Sequence, residues 1–170
     1  MKFLFCFSLV LMMFVLQAQE NVPPTAAFTV EGKVKAPFHF SFQDAGNFQT
    51  VAIDSVVIYN HLLVRKRAII KLKGILLKDI LAKVDLDVPG QKTLNEYYFI
   101  CVASDNYKVV FSWNELFNTE TGKHTMIITE QNGKKGMEMD DRIALICPED
   151  IATGRRYVKG LQKIIVERVK

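Results

Sequence analysis

A β-rich α+β fold is what this sequence predicts, and three observations carry the prediction. Short runs of apolar, aromatic and β-branched residues recur along the chain, only a few segments carry helical signals, and Gly, Pro, Asn and Asp separate one run from the next. The architecture expected is a mixed sheet or barrel with a few short helices. With 49% hydrophobic and 24% charged positions in 170 residues, the composition suits one globular domain with a sizeable core and excludes both a disordered chain and a membrane bundle.

The first residues stand apart from that domain. Met1-Lys2 gives a basic start, Phe3 to Leu16 is apolar apart from Ser8, and Leu16-Gln17-Ala18 precedes a polar Gln19-Glu20. Residues 1–18 therefore read as a secretory signal peptide cleaved near Ala18, which implies a periplasmic or secreted protein. The run is too short to span a bilayer comfortably, and no later stretch is long enough, so no membrane span is expected after processing. Cys6 lies inside the run, ahead of any cleavage point, and is not placed for lipidation. Loss of residues 1–18 removes one lysine from 22 basic side chains and none of the 18 acidic ones, leaving +3 rather than +4. So mild an excess does not argue for nucleic acid, although Arg65-Lys66-Arg67 and the tail from Arg155 to Lys170 concentrate positive charge locally.

Residues 19–27, with Pro23-Pro24, form an irregular lead-in, and the domain proper is expected over 28–170. Phe28 to Val34 reads as a strand interrupted by Glu31-Gly32. Ser41-Phe42-Gln43-Asp44 carries a weak capping pattern for a short helix ahead of Gly46-Asn47. Val51 to Ile58 alternates as a strand with one mostly buried face, and Asn60-His61 follow its end. Ala68 to Lys73 gives another strand with Gly74 at its exit. Leu77, Ile80, Leu81 and Val84 then fall at helical spacing, with Lys78, Asp79 and Lys83 on the opposite side.

Pro89-Gly90 returns the chain to its central piece, Tyr97 to Leu116. Tyr97 to Ser104 is apolar or aromatic at nearly every position, as a strand covered on both faces would be. Asp105-Asn106 supplies a tight turn into the strand Tyr107–Phe111, since both residues tolerate left-handed backbone angles. Ser112 and Glu115 make a capping box, which starts a helix at Trp113. Thr125 to Thr129 is a further strand, Asn132-Gly133 a hairpin turn, Ile143 to Cys147 a short buried strand stopped by Pro148, and Tyr157 to Val169 a closing strand. No internal repeat or low-complexity segment is present.

Motifs that would name a chemistry are missing. The chain has no CxxC, HExxH, GxSxG, GxxxxGK or GxGxxG. His39, His61 and His124 are isolated, and such histidines are more often surface or hydrogen-bonded core residues than metal ligands. Ser104 and Asp105 beside Tyr107 suit a polar site or simply a turn. Arg155 and Arg156, with Tyr157 and Lys159 adjacent, suit an anionic ligand or a solvated basic tail. Cys101 and Cys147 each lie in an apolar run; pairing and separate burial both remain open, and the lack of a spacing pattern favours burial.

Taken in order, these motifs resemble the oxidoreductase molybdopterin-binding domain family, the fold of the sulfite oxidase superfamily, and in particular its small exported single-domain members. Phe28 to Val34 with Pro37 is similar to the family's opening strand and turn. Lys73-Gly74-Ile75-Leu76-Leu77-Lys78-Asp79-Ile80-Leu81 is similar to its Gly-Val-Pro-Leu helix start, with Leu76 where proline is common. Ala103-Ser104-Asp105-Asn106-Tyr107 is similar to its Ala-Ser-Asp-Gly-Tyr hairpin, and Ile146 to Asp150 followed by Arg155 to Lys159 to its closing segment.

The resemblance implies a sulfite oxidase type of molybdopterin-binding fold and a pocket for molybdopterin, another pterin, or a different flat anionic small molecule. Cofactor-binding residues implied are Asn60, His61, Ser104, Asp105, Tyr107, Arg155, Arg156 and Lys159, with Arg156 turned into the pocket. Catalytic members hold molybdenum through a cysteine thiolate between the second strand and the helix start. The matching interval here, Val51 to Lys73, has no cysteine, so thiolate-ligated molybdenum is not expected. The alternative is a non-catalytic scaffold docking to a protein partner; an active molybdenum oxidoreductase ranks behind both.

Overall fold

The computed structural model describes residues 22–169, so the signal-peptide reading of 1–18 lies outside the described residues. Among them are ten strands, in two sheets, and three short helices. The first sheet holds β1 (Ala27–Gly32), β2 (Phe38–Ser41), β5 (Tyr97–Ala103), β6 (Lys108–Ser112) and β10 (Leu161–Arg168), in the order β2-β1-β10-β5-β6. Its one parallel pairing joins the first and last strands, Thr29 opposite Lys163. The second holds β3 (Val51–Tyr59), β4 (Arg65–Leu76), β7 (Met126–Gln131) and β8 (Lys134–Lys135), with β9 (Leu145–Ile146) beside β7. The helices are α1 (Leu77–Leu81), α2 (Trp113–Asn118) and α3 (Glu120–His124).

Alternation along β7 explains how one sheet serves two cores. Ile127 joins the large cluster with Phe28, Phe40, Phe99, Phe111 and Val166, whereas Met126 and Ile128 join a smaller one with Val56, Ile69, Leu72 and Ile146. Both faces of β7 are therefore dry, and all three of these residues are fully buried. Gly74 makes the neighbouring approach of β4 feasible. A Cβ there would stand 2.6 Å from the Ile127 carbonyl oxygen and 2.7 Å from Met126 Sδ, at the point where the β4–β7 register shifts.

Local signals set several element ends as expected. The Ser112–Glu115 capping box forms, with the Glu115 amide donating to Ser112 Oγ at 3.0 Å and the Ser112 amide to Glu115 Oε2 at 3.4 Å. Other elements differ from the sequence reading. The short helix expected after Ser41 is a 3-10 turn over Asp44–Asn47 that takes in Gly46 and Asn47 rather than ending ahead of them, with the Asp44 carboxylate accepting from both the hydroxyl and the amide of Ser41. β2 and α3 carry too few residues to show a period. β1 stops at Gly32, whose φ of +96° and approach to the Val166 carbonyl demand glycine, and β10 begins at Leu161 because Gly160 turns the chain at φ +58°.

Candidate functional site

Three segments meet at the end of β3 and leave an open cleft of about 460 Å³ lined by Ile58, Asn60, His61, Lys66, Tyr107, Gly154 and Arg155. Each segment is fixed by its own hydrogen bonds. Asn60 Oδ1 accepts from the amides of Leu62 and Val64 at 3.0 and 2.9 Å, closing the β3–β4 turn. Asp105 Oδ1 accepts from the Tyr107 amide at 2.8 Å, and Asn106 takes the left-handed conformation at φ +68°, as the β5–β6 turn requires. The third segment is the 3-10 turn over Thr153–Arg156.

Thr153 and Gly154 dock that turn onto β3. Thr153 Oγ1 donates to the Val57 carbonyl at 2.7 Å and accepts from the Tyr59 amide at 2.9 Å. Gly154 sits so close that a Cβ would lie 2.7 Å from the Tyr59 carbonyl oxygen. Arg155 is thereby held at the cleft, where the Tyr107 hydroxyl donates to its carbonyl oxygen at 2.5 Å. The wall presents two cations, Lys66 and Arg155, one imidazole and one half-exposed phenol, and none of its residues is a carboxylate. Neither cation has an ion-pair partner among the described residues, so together they favour an anion.

Of the eight residues that the sequence brought forward, Asn60, His61, Tyr107 and Arg155 line this cleft. Asp105 shapes its turn. Ser104 looks elsewhere, its hydroxyl donating to the Pro23 carbonyl and its amide to the Gly160 carbonyl, which ties the lead-in to the domain. Lys159 pairs with Asp141 at 3.2 Å and lies over the Tyr157 ring.

Arg156 does not take the role expected of it. Its guanidinium donates from Nε to Asp150 Oδ2 at 2.8 Å, from Nη2 to Asp150 Oδ1 and from Nη1 to Glu115, and it stacks 4.4 Å above the Phe111 ring centroid. Those hydrogen bonds to Asp150, then the bond to Glu115, hold the group charged beyond arginine's usual range despite the opposing effect of burial. Two carboxylates already saturate it, so a phosphate would have to displace them. The residues that the sequence reading left out are Lys66, noted only as local charge, and the docking pair Thr153 and Gly154, whose role exists only once the turn meets β3.

Neither cysteine lies on the cleft wall. Burial pushes the Cys101 thiol up to about 12 and the Cys147 thiol up to about 11, the latter accepting a hydrogen bond from Thr125 Oγ1 at 3.4 Å. Both are unpaired thiols in the large core. Fully buried and off the cleft wall, neither sulfur is placed to offer a thiolate to a metal in the cleft. A larger cleft of about 590 Å³ nearby carries Glu149 and Asp150 on its wall and neither lysine nor arginine.

No family model and no curated protein matches the chain. Among solved structures it is similar to the crystal structure of the sulfane dehydrogenase SoxCD from Paracoccus pantotrophus, with a TM-score of 0.60 and 14% identity, over 84% of this chain and 39% of that one. At that identity the likeness is one of fold, and the chain spans about two fifths of its neighbour. The two-sheet α+β architecture with few short helices is consistent with the sulfite oxidase type of fold.

Proposed function

We propose that the protein is an exported ligand-binding protein that holds an anionic small molecule, a phosphate-bearing pterin by chemical class, in the cleft between the β3–β4 turn, Tyr107 and Arg155. The observation that carries this reading is the pairing of Lys66 and Arg155 on a wall without a carboxylate. Arg155 supplies a planar fork for two phosphate oxygens, Lys66 a point charge, His61 and Asn60 polar contacts, and Tyr107 with Ile58 a surface for a flat ring. The fold likeness to a dehydrogenase supports a pocket of this general kind, and the resemblance of the hairpin motif to molybdopterin-binding domains supports the pterin. Both thiols are buried away from the cleft, so this reading involves no thiolate-held molybdenum.

Titration of a phosphate-bearing pterin, with inorganic sulfate beside it, tests the reading. Arg155→Ala and Lys66→Ala should each weaken binding by roughly tenfold or more, the scale of a lost charge-assisted hydrogen bond, whereas Lys134→Ala, whose lysine pairs with Asp140 elsewhere, should bind like the wild type. Equal weak binding by all four proteins would overturn it in favour of a scaffold that uses the fold without the pocket. The exported location rests on Met1 to Ala18, and mass spectrometry of protein recovered outside the cytoplasm should show cleavage near Ala18; an intact Met1 would count against it.

A further inference from the structure

The tip of the β3–β4 hairpin is left uncovered by the described residues. Leu62, Leu63 and Val64 are 69%, 57% and 50% exposed, three consecutive large apolar side chains in a molecule that buries most others. Their shape is set rather than loose. Besides the two bonds to Asn60 Oδ1, the Asn60 amide donates to the Val64 carbonyl and the Leu63 amide to the Asn60 carbonyl, and Leu63 is held in the left-handed region at φ +58°, a conformation that leucine adopts rarely.

From Ser55 to Lys78 the sequence contains Arg65, Lys66, Arg67, Lys71, Lys73 and Lys78 and no Asp or Glu. The fold offsets part of the basic run behind the tip, pairing Arg67 with Asp141 and Lys73 with Glu130, but leaves Arg65 and Lys66 without an ion-pair partner among the described residues. Arg65 and Lys66 are exposed immediately behind the apolar tip. Residues at a turn project in diverging directions, which a flat protein surface meets poorly and a fluid apolar phase meets well. A second copy would bring two basic tips together and is disfavoured by repulsion.

We propose that this tip is a peripheral anchor for an anionic lipid bilayer: Leu62, Leu63 and Val64 enter the boundary between headgroups and acyl chains while Arg65 and Lys66 contact anionic headgroups. Apolar insertion and basic attraction act together, as they do for other interfacial anchors, and neither alone suffices for stable attachment. The anchor sits beside the ligand cleft, since Asn60, His61 and Lys66 belong to both the hairpin and the cleft wall.

Cosedimentation of the processed protein with phosphatidylcholine vesicles, with and without phosphatidylglycerol, tests this. Binding is expected on the anionic vesicles and should weaken with salt. The pair Leu62→Ser with Leu63→Asn, in which asparagine tolerates the left-handed turn, should lose at least tenfold in partitioning while keeping its denaturation midpoint. Arg65→Gln with Lys66→Gln should lose roughly 30-fold on anionic vesicles only. Arg155→Ala, which touches the cleft alone, should bind vesicles like the wild type, and the leucine pair should keep pterin binding, so the two readings fail separately. No vesicle binding, or binding unchanged by the leucine pair, overturns the anchor and leaves a protein partner for the tip; a dimer that the leucine pair dissociates overturns it in favour of self-association.

Discussion

Arg155 and Arg156 are neighbours in the chain and belong to two different regions of the molecule. Arg155 stands exposed on the wall of an open cleft with its guanidinium unopposed by any lining carboxylate. Arg156 turns the other way, into a closed network with Asp150, Glu115 and the face of Phe111. The difference teaches that a basic pair in a sequence is not one feature. A charge becomes available to a ligand only where the fold brings no counter-charge, and here Arg156 meets one counter-charge six residues back, Asp150, and a second from 41 residues away, Glu115.

The largest effect should come from the closed side. Arg156→Ala would strand two carboxylates whose side chains are only 17% and 30% exposed. Removing one partner from so enclosed a network should cost about 3 kcal/mol in urea denaturation. Glu115 adds to the loss because it also caps α2 through Ser112. A variant that kept its stability but lost the ligand would move Arg156 into the binding site and erase the contrast.

How far all this was legible follows the distance over which each feature is encoded. The Ser112–Glu115 box, the Asp105-Asn106 turn and the strands β3 and β5 depend on residues within a few positions of one another, and each was readable, whereas β4 was read only over Ala68 to Lys73 with Gly74 as its exit and in fact runs from Arg65 to Leu76 with its irregularity at Gly74. β2 was missed because its four residues are too few to alternate visibly, and it exists by pairing Phe28 with Phe40. In the site, Asn60, His61, Tyr107 and Arg155 were named from turns and charge, yet their meeting depends on Thr153 and Gly154 packing on the end of β3. Lys66 read only as one of three adjacent cations, and nothing local told it from Arg67, which the fold pairs with Asp141.

That last pairing provides a test of intermediate size. Burial pushes the Asp141 carboxyl up, but the Tyr157 hydroxyl, Lys159 and Arg67 outweigh it and hold the group below its ordinary value of 3.8. A lowered carboxylate stabilises the fold fully above the unfolded-state value and loses that contribution as pH falls through the folded one. Asp141→Asn should therefore cost about 1–2 kcal/mol at neutral pH, with the gap to wild type closing below pH 3.8. A gap independent of pH would mean that geometry rather than charge holds this network. Should Lys159 then also prove dispensable, it would be available to an anion after all, and the open region would extend beyond the cleft.

The smallest effect on stability sharpens the comparison most. Arg155→Ala removes an exposed side chain, and the hydrogen bond that the residue makes outside its own turn among the described residues, the Tyr107 hydroxyl to the Arg155 carbonyl, uses the main chain, which alanine retains. Denaturation should thus differ from wild type by no more than about 0.5 kcal/mol, against about 3 kcal/mol for its neighbour. Binding of the phosphate-bearing pterin should move in the opposite sense, weakened roughly tenfold by Arg155→Ala. The ratio of the two effects is informative even if both are smaller than stated, because no structural role for the Arg155 guanidinium would lower affinity while sparing the fold. Comparable destabilisation by the two substitutions would show that the cleft wall is held together by Arg155 as the buried network is by Arg156, and the open region would then be a second structural contact rather than a place for a ligand.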